Sequence, residues 1–328
     1  MKYGMKHAMK TVFLGGAGLL MLAAASTFAQ PAKPTRMLIG FPPGGNIDIL
    51  ARVFGERIAE TLGRPVIVEP RPGATGQIAA ELLKASPGDG YTLLLTPDSS
   101  LVVRPLVTKK PPYDPVTDFM PVAHTGLSSQ ALAVGADVPA RDLREFSAWI
   151  KSNPNRGSVA LPGIGGSMHF FTVMIGQELG VKLTIIPYKG SGPSVSDVAA
   201  GHVPATVNPL GTMLAQAKAG KLRLIGVSGA GRAAAAPDAP TFTEQGYASL
   251  NIDSWFAIFA PVGTPAELVG RLNSSVIQAE RTPAIRERMR SLDLEIQELS
   301  PAQLGALVKR DYERWIPVIK ASGFTAED

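Results

Sequence analysis

Twice along the chain a short apolar run breaks into a loop of small residues and then opens into an amphipathic helix. That alternation restricts the fold more than any other feature. The first instance runs from Met37 to Phe41, through Pro42-Pro43-Gly44-Gly45-Asn46, into apolar positions Ile47, Leu50, Phe54, Ile58 and Leu62. Spacings of three and four predict a helix over 46–62 behind a strand over 37–41. The prolines stop the strand, the glycines free the backbone, and Asn46 is suited to cap the helix. A helix N-terminus carries unpaired N–H groups and a partial positive charge, and glycine lets a ligand reach them. Pro43, Gly44, Gly45 and Asn46 therefore read as an anion site, best matched to a carboxylate. A plain β–α turn uses the same residue types.

The pattern continues with a predicted strand over 66–69, a helix over 76–85 and a strand over 91–95. Short apolar strands alternating with amphipathic helices predict a parallel sheet covered on both faces. The third strand runs into a polar loop, Thr96-Pro97-Asp98-Ser99-Ser100. Ligands of such sheets bind outside the carboxyl ends of the strands, so the 41–46 and 96–100 loops can face one ligand. Strands over 122–126 and 131–135 flank a crossover at 127–130, and a second α/β series follows. It has a helix over 141–152 and strands over 158–161, 183–187, 204–207 and 222–227. Its strand ends carry Gly163-Ile164-Gly165-Gly166-Ser167 ahead of His169, then Tyr188-Lys189-Gly190, then Asn208-Pro209-Leu210-Gly211. Ala233–Ala236 before Pro237 reads as the end of a surface helix. A strand over 255–260 leads to Thr264 as cap and Pro265 as first helical residue. Helices over 265–280, 283–291 and 301–319, with a short strand over 294–297, end the chain and are expected to return to the first unit. The expectation is two α/β domains, two crossovers, a hinge and a cleft.

Lys2, Lys6 and Lys10 precede a small apolar run over 11–25, and Thr27-Phe28-Ala29 follows. This is the pattern of a secretory signal peptide cleaved after Ala29, with an apolar run too short to span a membrane. Its removal leaves 29 Lys+Arg against 27 Asp+Glu, and no basic cluster is interleaved with aromatics, so nucleic acid is not an expected partner. The chain has no cysteine, which excludes a disulfide framework and an acylated lipoprotein anchor and suits a periplasm. There is also no Gly-x-Ser-x-Gly elbow, and His124, His169 and His202 lack metal-ligand spacing. No metal, cofactor or catalytic residue is expected. The glycines at 163–166 lack the third position and the acid of a dinucleotide fingerprint. His169 reads as a capping or packing residue or as a polar wall of the cleft. Asp48 complements the helix dipole, braces the glycine loop, or accepts from a ligand amine or hydroxyl. Tyr188 and Lys189 offer a phenol and a cation.

A set of segments then acts together: Phe41-Pro42-Pro43-Gly44-Gly45-Asn46-Ile47-Asp48 with Ala51-Arg52, and Val68-Glu69-Pro70-Arg71-Pro72-Gly73-Ala74-Thr75-Gly76. With them go Asp89-Gly90-Tyr91-Thr92-Leu93, Pro112-Tyr113-Asp114-Pro115, Pro187-Tyr188-Lys189-Gly190, Ala219-Gly220-Lys221-Leu222-Arg223 and Ala260-Pro261-Val262-Gly263-Thr264-Pro265. In this order the chain resembles a solute receptor of the tripartite tricarboxylate transporter, the TctC or Bug family. The resemblance implies a two-lobe periplasmic binding protein (Venus flytrap) fold, with two α/β domains joined by two crossover strands. Domain I would comprise 30–128 plus 254–328, and domain II 129–253, after a signal peptide at 1–29. It implies a receptor, not an enzyme, that captures a small organic anion: a di- or tricarboxylate, an acidic amino acid or an aromatic carboxylate. The partners would be the cognate membrane subunits of the transporter, and the receptor a monomer. Carried over, the substrate-binding residues are Gly44, Gly45, Asn46 and Asp48 beside Pro43, then Ser99 and Ser100. The second lobe adds Gly165, Gly166, Ser167, His169, Tyr188, Lys189, Gly190 and Asn208. The competing classes are an exported enzyme acting on a carboxylate and a receptor that reports ligand to a sensor.

The chain departs from the family's usual residues at Asn46-Ile47, Pro70, Pro97-Asp98 and Asn208. An aspartate in the cleft disfavours a second anion, and an asparagine at 208 removes an amine partner, so these departures favour a non-amino carboxylate.

Overall fold

The computed structural model describes residues 33–229 and 231–324; the signal-peptide segment lies outside them. The predicted β-α-β-α-β series forms, shifted by a residue or two. Strand β1 is Thr35–Ile39, helix α1 Asn46–Leu62, β2 Val66–Pro70, α2 Gln77–Lys84 and β3 Thr92–Pro97. Helix α1 ends where Gly63 takes the left-handed conformation (φ +63°) expected of a glycine just past a helix. The expected 96–100 loop is instead the end of β3 followed by a wide, π-type helix over Ser99–Val103, which tightens into one α-turn, α3, at Arg104–Leu106.

Strand β4, Phe119–Ser128, passes into β5, Gln130–Gly135, through Ser129 alone. Helix α4 (Leu143–Ser152), β6 (Ser158–Leu161), α5 (Ser167–Leu179), β7 (Thr184–Pro187), α6 (Ser191–Ala199), β8 (Ala205–Pro209), α7 (Leu210–Lys218) and β9 (Leu222–Val227) follow. Strand β10, Ser254–Pro261, precedes α8 (Ala266–Glu280), α9 (Pro283–Ser291) and α10 (Pro301–Ser322). Pro265 is the cap of α8 rather than its first residue, and the Thr264 hydroxyl donates to Pro261 O at 2.8 Å instead of capping. The strand expected over 294–297 reduces to one bridge, Glu295 to Leu127, and Ala233–Ala236 is turn rather than helix.

The strands form two five-stranded sheets, ordered β2-β1-β3-β10-β4 and β7-β6-β8-β5-β9. Neither is purely parallel. In the first, β1 pairs in parallel with β2 and β3, but β10 runs antiparallel to both β3 and β4. In the second, β6 pairs in parallel with β7 and β8, but β5 runs antiparallel to β8 and β9. Each sheet is closed by a strand that the chain delivers after a visit to the other, which enters in reverse. The two sheets with their helices are called lobe I and lobe II below.

One face of the first sheet packs on α1 and α8, through Met37, Ile39, Leu50, Phe54, Ile58, Val269 and Leu272. One face of the second packs on α6 and α7, through Ala131, Val195, Val198, Leu210 and Met213. The remaining faces share a single core that includes Leu94, Trp255 and Phe259 of lobe I, Leu132, Val207 and Phe170 of lobe II, and Trp315 and Ile319 of α10. The C-terminal helix thus packs across to α5. Trp315 and Phe170 are fully buried there, their ring centroids 6.5 Å apart. Truncating a side chain of that kind costs about 3–5 kcal/mol.

Candidate functional site

The parallel strands of both sheets deliver their loops to one edge each: 40–46 and 98–100 in lobe I, and 162–167, 188–191 and 208–210 in lobe II. Two of these loops are built alike. In lobe I the chain turns at Gly44 (φ +96°), and Gly45 caps α1 with extended backbone (φ −86°, ψ 175°). Asn46, expected as the cap, is the first helical residue, because Gly45 reaches the extended geometry without it. In lobe II the chain turns at Gly165 (φ +76°), and Gly166 caps α5 (φ −97°, ψ 179°). Neither helix has a side-chain cap, so the first-turn N–H groups lack an intrahelical acceptor. A side chain placed at Gly44, Gly45 or Gly166 would meet nothing within 4 Å. These glycines stand beside open space that a ligand can fill.

A bond across four residues holds each loop. Gly44 donates its N–H to Asp48 Oδ2 at 3.1 Å, and Arg52 clamps the same carboxylate from Nε and Nη2 at 3.1 and 2.9 Å. The Arg52 hydrogen bond keeps the Asp48 carboxyl below the usual carboxylate range, against a burial effect that would raise it. Asp48 is 6% exposed and its two oxygens already hold three donors, so it braces the loop and is not an open acceptor for a ligand amine. In lobe II, Gly165 donates its N–H to His169 Nδ1 at 3.0 Å. Ser167 and His169 are buried, whereas Gly166 is half-buried and Pro43, Gly44 and Gly45 are exposed.

Behind the lobe I loop, Gly40, Gly76 and Ser100 stack closely. A Cβ on Gly40 would lie 2.4 Å from Gly76 Cα, and one on Gly76 would lie 2.6 Å from Ser100 Oγ. Ser100 is fully buried with its hydroxyl unpaired, and Ser99 is half-buried. The turn leading into Gly76 is strained: Gly73 has φ +137°, and Ala74 and Thr75 follow at +46° and +56°. Left-handed residues with a Cβ are uncommon and concentrate at ligand clamps. Ala74 and Thr75 are exposed at the carboxyl edge of the sheet and join the candidate site. The two glycines flanking them were the available signal in the sequence.

Other expectations change. Asp98 does not line a cleft: it is 2% exposed, accepts from the Ser254 hydroxyl and the backbone N–H groups of Ser99 and Trp255, and burial pushes its carboxyl up to about 7. Tyr188 spends its hydroxyl on Asp197 Oδ2 at 2.5 Å, which raises the phenol to about 12. Lys189 is exposed on the loop, and Gly190 (φ +109°) caps α6 over open space. Asn208 is fully buried, its amide donating to Ser194 Oγ at 3.0 Å and to Thr206 Oγ1 at 2.6 Å. Those hydroxyls give their own protons to Ser191 O and Ala160 O, so they can only accept. The carboxamide is therefore fixed with its Oδ1 as an unpaired buried acceptor. Asp98 brings no charge to the cleft, and Asn208 retains an acceptor. Both premises for preferring a non-amino carboxylate fall.

Among the described residues no group of His, Asp and Glu forms a metal cluster, and no helix is long and apolar enough to cross a membrane. A cavity of about 410 Å³ lies beside the β4–β5 crossover, lined by Leu127, Ser129, Ala233, Arg286 and Asp293 among others. It contains none of the glycine-loop residues.

The model of the tripartite tricarboxylate transporter family receptor matches residues 50–324. The chain belongs to that family. Receptors of this kind are periplasmic binding proteins, a solute-binding rather than an enzyme family. The receptor is similar to Protein BugT of Bordetella pertussis, with 31% identity over 313 residues and 95% of each chain covered. Its fold matches that of MatC from Rhodopseudomonas palustris, solved with bound malate, at 28% identity and a TM-score of 0.76, covering 88% of this chain and all of MatC. A second R. palustris protein, solved with adipate, gives 30% identity and a TM-score of 0.79, with 89% and 98% covered.

Proposed function

We propose that this receptor captures a small organic carboxylate between its lobes and hands it to the membrane subunits of a tripartite tricarboxylate transporter. The observation that carries the reading is the pair of glycine loops. Each is braced from behind by a residue four positions on, and each leaves first-turn N–H groups beside empty space. Unpaired N–H groups at a helix start favour an anion, and hydrogen bonds to a carboxylate are stronger than neutral ones. The malate and adipate of the two R. palustris structures are the ligands this chemistry would predict.

Under this reading Gly44, Gly45, Asn46, Ser99 and Ser100 serve one end of the ligand with Ala74 and Thr75. Gly165, Gly166, Ser167, Lys189, Gly190 and Asn208 serve the other. Asp48, His169 and Tyr188 act from behind. The moving bodies are 30–128 with 254–328, and 129–253, turning on Ser129 and the segment between β9 and β10. The working form is the monomer released by cleavage after Ala29. Closure excludes water, which strengthens each N–H···carboxylate bond. The lack of a nucleophile–base pair in the sequence supports binding without turnover.

The test is mass spectrometry of small molecules released from the freshly purified, denatured protein, paired with thermal shifts against malate, adipate, citrate, glutamate and benzoate. A released carboxylate with a matching stabilisation supports the reading. Stabilisation only by neutral or cationic compounds overturns it, and conversion of a bound carboxylate would revive the enzyme alternative.

A further inference from the structure

The lobe II loop hangs on a ring that can change its hydrogen-bonding character. An imidazole nitrogen that accepts from an N–H carries no proton of its own, so His169 is neutral with its hydrogen on Nε2. Protonation would place a hydrogen on each nitrogen and set two donors against each other at Nδ1. The ring is 8% exposed. It stacks on Phe170 of its own helix, with centroids 4.8 Å apart and planes at 13°. Phe324, just beyond α10, meets it edge-on at 5.3 Å. Phe324 and Val107 also back the glycine itself: a Cβ on Gly165 would lie 3.5 Å from the first and 4.0 Å from the second. The loop is thus wedged between the ring and lobe I.

We propose that His169 is a positioning residue rather than a ligand contact: its unprotonated Nδ1 holds the Gly165 N–H, and so sets Gly166 and the first-turn N–H groups of α5 for the ligand. Among the described residues no charged side chain from α5, α10 or the loop acts on the ring; burial alone lowers its pKa from 6.5. The neutral form is therefore present at neutral pH, and the lobe II grip is lost as pH falls below 6.5 through the lower folded value. The effect on affinity rests on the carboxylate reading above. The tautomer and the loop bond do not.

Three variants separate the roles. Asparagine at 169 keeps an acceptor near the Nδ1 position and does not titrate, glutamine reaches the Nε2 position, and alanine keeps neither. In the ligand-free wild type at pH 7.5, nitrogen NMR should show the Nε2–H tautomer and slow exchange of the Gly165 amide, with protection lost on acidification. His169→Asn should keep that protection at both pH values. It should also recover most of the affinity for malate or adipate that His169→Ala loses, a loss of about 10-fold or more. An Nδ1–H tautomer, or a wild-type amide that exchanges freely at neutral pH, would overturn the proposal without any variant. So would affinity kept by His169→Gln and lost by His169→Asn, since that would place the ring's action at Nε2. Failure of the carboxylate reading looks different: no form binds any carboxylate, while the amide result stands. Melting temperature alone is a poor readout, because burial also pushes His124 down to about 4 and gives it an acid-side response of its own.

Discussion

Gly44 gives its N–H to a carboxylate and Gly165 gives its own to an imidazole; the two loops otherwise share turn, cap and helix start. The carboxylate of lobe I brings a charge into a 6%-exposed position at the positive end of a helix, and Arg52 balances it. The imidazole of lobe II brings no charge and has no counter-ion, only aromatic neighbours. Lobe I therefore holds its loop with an ion-paired acceptor that stays ionised well into acid. Lobe II holds its loop with a neutral acceptor that acid removes. The helix dipole is already partly answered by Asp48 in lobe I, whereas α5 has no acid in its first turn. The ligand anion is then the main negative charge that α5 can attract.

The largest effect should come from removing the lobe I acceptor. Asp48→Ala leaves Gly44 unpaired and Arg52 without a partner, and calorimetry should show at least a 100-fold loss of carboxylate affinity, about 3 kcal/mol. Asp48→Asn keeps an acceptor for Gly44 but breaks the ion pair, so it converts lobe I to the lobe II arrangement. A smaller loss, about 10-fold, is expected there. Equal losses in the two variants would mean that the charge, not the loop bond, matters.

A pH series of melting temperature sharpens the contrast from the alkaline side. Asp98 lies at the end of β3 with its pKa raised from 3.8 to about 7 by burial. A raised folded pKa gives stability that is complete below 3.8 and lost as pH rises through 7. Wild-type melting temperature should fall between pH 6 and 8, and Asp98→Asn should flatten that fall. A slope unchanged in the variant would assign it elsewhere, with Glu280, raised to about 8 by burial, the next candidate. The smallest effect is expected at Tyr188, whose hydroxyl faces Asp197: Tyr188→Phe should change affinity by less than about 3-fold. A larger loss would return the phenol to the ligand.

Much of this was legible in the residues. Helix α1 and strands β6 and β9 fall where apolar spacing put them, because local periodicity reports local burial. The loops at 41–46 and 162–167 were found by their glycines, whose backbone role is also local. What failed was long-range. Asp98 reads as a cleft residue until Ser254, 156 positions away, is seen beneath it. The sheets read as parallel because β5 and β10 look like any other strand, and their reversal comes from the crossovers that deliver them. Asn208 was judged by its missing charge, whereas its polarity is dictated by two hydroxyls whose own donations the sequence does not display.

The central claim is that backbone N–H groups at the two caps hold the ligand. Gly45 and Gly166 have extended backbone that valine can adopt, with open space where the side chain would go. Valine at a cap costs about 1 kcal/mol, a shift of roughly 2–4 °C. The deciding measurement is the calorimetric affinity of wild type, Gly45→Val and Gly166→Val for the carboxylate released from the native protein, with melting temperature alongside. The account predicts at least a 30-fold loss in each variant, about 2 kcal/mol, with a melting temperature close to wild type. Wild-type affinity in both variants would contradict it.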